Sequence, residues 1–224
     1  MNKSIFIIAC LFSLNCFSQK TIYLDENNNE IEVSEFQTKW RNADLKLFRW
    51  DYFKNSNEKV AQLHKNKFNF FNVNYENLSS ELKKITNKKT SADTNFIIEY
   101  VFSNDLCSSD QNANEWSKER LKKRAEFLKS VKSTINSVNS KIVYIVVFDN
   151  KLLVNDYIKS IDFFFVDQSD FIKSNFLQQP AFCGSFILIK PDGNVLVSNG
   201  ENRADFLLDY FEPATWNKIF SEKK

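Results

Sequence analysis

Once an N-terminal leader is set aside, two of the four cysteines remain, Cys107 and Cys183, and these are the side chains best suited to chemistry. Cys107 lies in Asp105-Leu106-Cys107-Ser108-Ser109-Asp110, between an apolar run and an amphipathic stretch. Cys183 lies in Phe182-Cys183-Gly184-Ser185, ahead of a second apolar run and a Pro-Asp-Gly turn. A thiol just before a helix is biased toward its thiolate by the helix dipole, and Lys118 or Arg120 would add to this. Such a sulfur could attack a disulfide, with Cys183 as the resolving cysteine. The plainer alternative is that the two sulfurs close a permanent staple. Other chemistries are poorly supplied. His64 is the only histidine, so no His-based zinc cluster is possible, and a Cys107–His64 dyad would need the two halves of the chain to dock. Three glycines leave no phosphate-cradling loop or dinucleotide fingerprint. Neither a cofactor nor a metal is expected.

The compartment follows from residues 1–19, which read as a secretory signal peptide. Lys3 gives a positive start, Ile5 to Leu14 an apolar stretch, and Cys16-Phe17-Ser18 small side chains at the −3 and −1 positions. The apolar stretch is too short to cross a bilayer, so no membrane span is expected in the mature chain. A rival reading attaches a lipid anchor at Cys10, because Ile7-Ile8-Ala9-Cys10 resembles a lipobox. Export, to the periplasm or outside the cell, implies an oxidising environment where paired thiols become disulfides. With two cysteines left, Cys107–Cys183 is the default bridge. The net charge of +2 creates no field that favours nucleic acid or an anionic membrane, so an unknown protein is the expected partner. The 23 phenylalanines supply ample apolar side chain for a core.

The elements that must position the cysteines divide at a polar run, Thr86 to Asn95. Residues 20–92 read as a small α+β unit. Thr21–Leu24 and Glu30–Val33 look like a hairpin around an Asn-rich turn. Ser34-x-x-Gln37 looks like a capping box for a helix carrying Phe36 and Trp40 inward. Leu45–Tyr52 and Lys59–Leu63 look like strands, and Leu78, Leu82 and Ile85 mark one helical face. Residues 93–224 are more regular. Phe96–Phe102, Ile142–Phe148 and Ile161–Val166 read as buried strands. A helix is expected from Asn112 to Val138, a short one after Asp167, and a strand-turn-strand from Phe186 to Val197 around Pro191-Asp192-Gly193. Pro213 suits the first turn of a last helix. The basic run from Lys118 to Arg124 is interspersed with glutamates and reads as a solvated helix face. Trp40, Trp50, Trp116 and Trp216 read as core or seam aromatics rather than a ligand cage.

In this order, residues 93–222 resemble the thioredoxin-like superfamily, particularly its exported bacterial branch. The hairpin Phe186–Val197 carries the resemblance most clearly, and Leu106-Cys107-Ser108-Ser109-Asp110 occupies the place of Cys-x-x-Cys. Two hallmarks are missing. Asp110 stands where the resolving cysteine would be, and Gly184 takes the place of the cis-proline, Pro180 lying four residues too early. Asn104 also replaces the Thr or Ser that peroxiredoxin-like enzymes carry three residues before the cysteine, although Arg203 could support a thiolate. The resemblance implies an α/β fold, a thioredoxin-like mixed sheet flanked by helices, preceded by the small α+β unit. It also implies that Cys183 packs against Cys107, within reach of a disulfide. The expected function is a non-catalytic binding module held by that bond. The alternative is a thiol–disulfide oxidoreductase using Cys107 as nucleophile and Cys183 as resolving cysteine.

Overall fold

A computed structural model describes residues 20–55, 58–88, 90–105, 113–177, 183–200 and 202–221. The signal-peptide and lipid-anchor readings, and with them Cys10, Cys107, Asp110 and Pro180, lie outside the described residues.

The mixed α/β class is borne out. The larger of two substantial sheets has six strands in the order β4-β11-β10-β5-β7-β9. Its centre is β5 (Asn95–Val101), with β7 (Ile142–Asp149) and then β9 (Phe164–Asp167) pairing parallel on one side. On the other side β10 (Ser185–Ile189) runs antiparallel to β5, followed by β11 (Asn194–Asn199) and the edge strand β4 (Phe68–Asn72). Because successive side chains of a strand point to opposite faces, β5 supplies two cores at once. Phe96, Ile98 and Tyr100 pack with Leu78 and Leu82 of α2 (Tyr75–Thr86) and with Ile172 and Phe176 of α4 (Phe171–Phe176). Ile97, with Val146, Phe148 and Leu188, faces α3 (Lys118–Val138), a 3₁₀ segment at Ala204–Phe211, and α5 (Pro213–Ser221). Burial on both faces is why these strands are nearly continuous apolar runs.

A three-stranded sheet, β1-β3-β2, precedes this layer. In it β1 (Lys20–Leu24) pairs parallel with β3 (Glu58–His64), and β2 (Phe48–Asn55) pairs antiparallel with β3. Phe36 of α1 (Val33–Arg41) is fully buried here with Ala61 and Leu63.

Five local expectations are corrected. The hairpin at Thr21–Val33 shrinks to a single bridge between Leu24 and Glu30, because an Asp25 carboxylate oxygen accepts the Asn27 and Asn29 N–H groups, both at 2.8 Å, and tightens the turn. The chain then enters α1 with Glu32 at the N-cap and no side-chain cap, so Ser34 and Gln37 fall inside the helix. Trp40 is exposed rather than inward; its ring lies 5.0 Å from the Arg49 guanidinium. Helix α3 starts at Lys118, capped by Ser117, because Glu115–Trp116 is taken up as β6, pairing with β8 (Leu153–Val154). Finally, residues 68–86, read with the N-terminal unit, pair and pack with the large layer. β4 is hydrogen-bonded along β11, and Gly193 locks its end: Val73 N–H donates to Gly193 O at 2.9 Å. At φ +81°, a Cβ on Gly193 would stand 2.3 Å from the Val73 carbonyl oxygen, so the turn requires glycine both for its backbone angle and for this approach.

Candidate functional site

Cys183 sits at the entrance to β10 in the left-handed region, φ +62°, followed by Gly184 at φ +84°. A Cβ at Gly184 would meet the Tyr100 carbonyl oxygen at 3.1 Å, and Gly184 O accepts the Gly200 N–H at 3.0 Å. A tight pair of positive-φ residues therefore stands where the resemblance would place a cis-proline; no cis peptide bond occurs among the described residues. Cys183 is half-buried. Its backbone N–H donates to Asp105 Oδ1 at 3.0 Å. Asp105 is two positions before Cys107, so the described residues bring the start of the Cys107 segment against Cys183, while Cys107 itself lies outside them.

Beside Cys183 opens a cavity of about 580 Å³ between the paired strands β5 and β10, α3 and the 3₁₀ segment. Val101, Leu128, Phe186 and Ala204 give it apolar walls, and Phe127 and Phe206 stand at its mouth. Two ion pairs border it. Glu99, facing α3 from the middle of β5, pairs with Arg124 and accepts a hydrogen bond from the buried Tyr144 hydroxyl. Arg203 holds Asp205 with Nε at 3.1 Å and Nη2 at 2.7 Å. Burial, followed by the Glu99 charge beside it, pushes the Tyr144 hydroxyl well above the ordinary phenol range, so Tyr144 stays a neutral donor.

The carboxyl ends of the parallel strands carry a second polar cluster, on the α2–α4 side. Asp149, which ends β7, is fully buried and accepts hydrogen bonds from Lys173 Nζ at 2.5 Å, Ser103 Oγ at 2.9 Å and Lys151 N–H at 3.1 Å. Burial raises its pKa, but these donors outweigh burial and hold it below the usual carboxylate value. Asp167, which ends β9, is equally buried. There burial wins over the N–H groups of Lys173, Ile172 and Phe171, and its pKa is raised. Tyr100, whose hydroxyl lies near Asp149, Asp167 and Asp170, is raised first by burial and then by those charges.

The other candidates fall into place around these two clusters. His64 stacks on Trp50 with ring centroids 3.9 Å apart, in the three-stranded sheet; burial lowers its pKa, and it does not line the cavity. In the basic run, Lys122 and Lys123 are solvated as expected. Arg124 reaches Glu99, and Arg120 bonds the Ala113 and Glu115 carbonyls and stacks over Trp116 at 4.1 Å. Trp116 and Trp216 are core residues, whereas Trp50 is half-buried. Glu99 and the Asp149–Lys173 pair are not singled out by the sequence, and Arg124, read there as part of a solvated face, pairs with the buried Glu99 instead. A lone acid inside the apolar run Phe96–Phe102, and aspartates ending two others, were the available signals. Among the described residues no group of three His, Cys, Asp or Glu side chains could hold a metal ion, and no helix is long and apolar enough to cross a membrane. No family model matches the chain, and no curated protein matches it.

Proposed function

We propose that this chain is an exported, thioredoxin-like binding module in which a Cys107–Cys183 disulfide fixes the wall of a ligand cavity. The observation that carries the reading is the Cys183 N–H to Asp105 Oδ1 bond at 3.0 Å, made at the border of the cavity that both residues line. It ties the loop before β10 to the segment that leads into Cys107. A cross-link between Cys107 and Cys183 would close 75 intervening residues and stabilise the fold by roughly 4 kcal/mol in the chain-entropy model. With Asp110 in place of a second cysteine, no dithiol cycle can run within the Cys107 loop itself. Peptide mapping of the unreduced mature protein tests the pairing: the reading requires a Cys107–Cys183 cross-linked peptide, and free thiols at both positions would defeat it.

A second reading, a thiol–disulfide oxidoreductase with Cys107 attacking and Cys183 resolving, draws on the same cavity. Cys183 lines an open depression that a partner chain could enter. Turnover of a model disulfide substrate, abolished by Cys107→Ser, would favour it. The binding reading expects no turnover.

A further inference from the structure

The two ion pairs at the cavity are oriented alike. The Arg124 side chain is 35% exposed against 7% for Glu99, and Arg203 is 45% exposed against 9% for Asp205. In both pairs the carboxylate is withdrawn and the guanidinium faces out. A guanidinium has five N–H donors, more than one carboxylate uses, so an outward arginine keeps donor capacity for a ligand. Each guanidinium also lies over an aromatic ring at the mouth: Arg124 is 5.5 Å from the Phe127 centroid, and Arg203 is 4.8 Å from that of Phe206. Those rings are 50% and 67% exposed, unusual for phenylalanines 79 residues apart that border one cavity. The site therefore has an apolar interior of a size suited to a small molecule and a rim that presents two cations.

From this arrangement we infer that the cavity binds a small carboxylate amphiphile, its apolar chain against Val101, Leu128 and Phe186 and its carboxylate between Arg124 and Arg203. The inference rests on the reading that the chain works by binding, and it adds the class of ligand. Charge-assisted, bidentate contact with guanidinium groups favours a carboxylate over a neutral or cationic head on the same chain. The apolar walls set the other half of the preference, with affinity rising along a homologous series until the cavity is full.

The test is a calorimetric titration of the mature protein, disulfide intact, with dodecanoate, dodecanol and dodecyltrimethylammonium, all below their aggregation concentrations. Saturable binding of dodecanoate to one site is expected, at least ~10-fold tighter than the ammonium compound. Octanoate should bind more weakly, by roughly fourfold for each CH₂ removed. Arg203→Gln should narrow the preference for the anion while leaving chain-length dependence in place. Phe206→Ala alters an exposed ring and not the core, so it keeps the test valid if Arg203→Gln disturbs Asp205; it should weaken every chain. Equal affinity for anion and cation, no saturable binding, or tighter binding of an apolar peptide with a free C-terminal carboxylate than of dodecanoate would each overturn the inference. Disulfide exchange is read in a separate turnover assay, so failure of the binding reading and failure of this ligand class are distinguishable.

Discussion

The two buried ion pairs of the six-stranded layer use the same chemistry to different ends. Asp149–Lys173 lies on the α2–α4 side with a carboxylate that is completely buried and satisfied by backbone, hydroxyl and ammonium donors. Glu99–Arg124 lies on the α3 side, and its guanidinium reaches out over Phe127 into a cavity. Desolvation is costly in both. In the first, ammonium, hydroxyl and backbone donors converge on one buried carboxylate, and the pair acts as a bolt at the end of the sheet. In the second, part of the donor capacity is left at a surface, where it can serve recognition. A buried charge alone says little about function; the direction in which its partner faces says more.

This contrast can be broken most strongly at the bolt. Lys173→Ala leaves the Asp149 carboxylate buried without its cation and should cost about 3–5 kcal/mol, read as a fall in the urea midpoint at neutral pH. Arg124→Gln should cost less, about 1–3 kcal/mol, because Tyr144 still donates to Glu99 and water reaches the cavity. If Arg124→Gln proves the more damaging, the assignment of bolt and recognition pair is reversed.

Acid titration sharpens the same comparison. Asp149 has a folded-state pKa below its unfolded value, so its contribution is present above pH 3.8 and is lost as pH falls through the lower folded value. Asp167 has a folded pKa above its unfolded value; its contribution is full below pH 3.8 and is lost as pH rises through the raised value. Asp167→Asn should therefore gain on the wild type as pH rises from 4 to 7, whereas Asp149→Asn should stay about equally far behind over that range and close the gap only as pH falls below 3.8. Urea midpoints from pH 7 down to pH 3 give the sign for each. The smallest effect belongs to Lys122→Ala and Lys123→Ala, on the solvated part of α3, which should each stay within about 0.5 kcal/mol of wild type.

Much of the layer was legible because its physics is local. Phe96–Phe102, Ile142–Phe148 and Phe186–Ile189 are strands buried on two faces, and that condition writes itself as an apolar run. Pro191-Asp192-Gly193 announced its turn, and Pro213 its helix. What was illegible depends on partners distant in the chain. Phe68–Asn72 gives no sign that it will pair with Asn194–Ser198, and without that pairing the polar run at Thr86–Asn95 looks like a boundary between units. Trp40 looked like a core residue because composition cannot show that Arg49 would cover one of its faces. The candidate site divides in the same way. Cys183 was visible as one of few reactive side chains, but the cavity beside it is built from β5, α3 and the 3₁₀ segment at Ala204–Phe211, and only folding brings Glu99, Arg124 and Arg203 to one border.

The central claim, that a closed disulfide fixes the wall of a binding cavity, is tested most directly by titrating the mature protein against glutathione and counting alkylated thiols by mass. The account predicts a Cys107–Cys183 bond that stays closed to below about −300 mV. A bond that opens between about −150 and −270 mV, where exchange proteins work, would contradict it and make the oxidoreductase the better description.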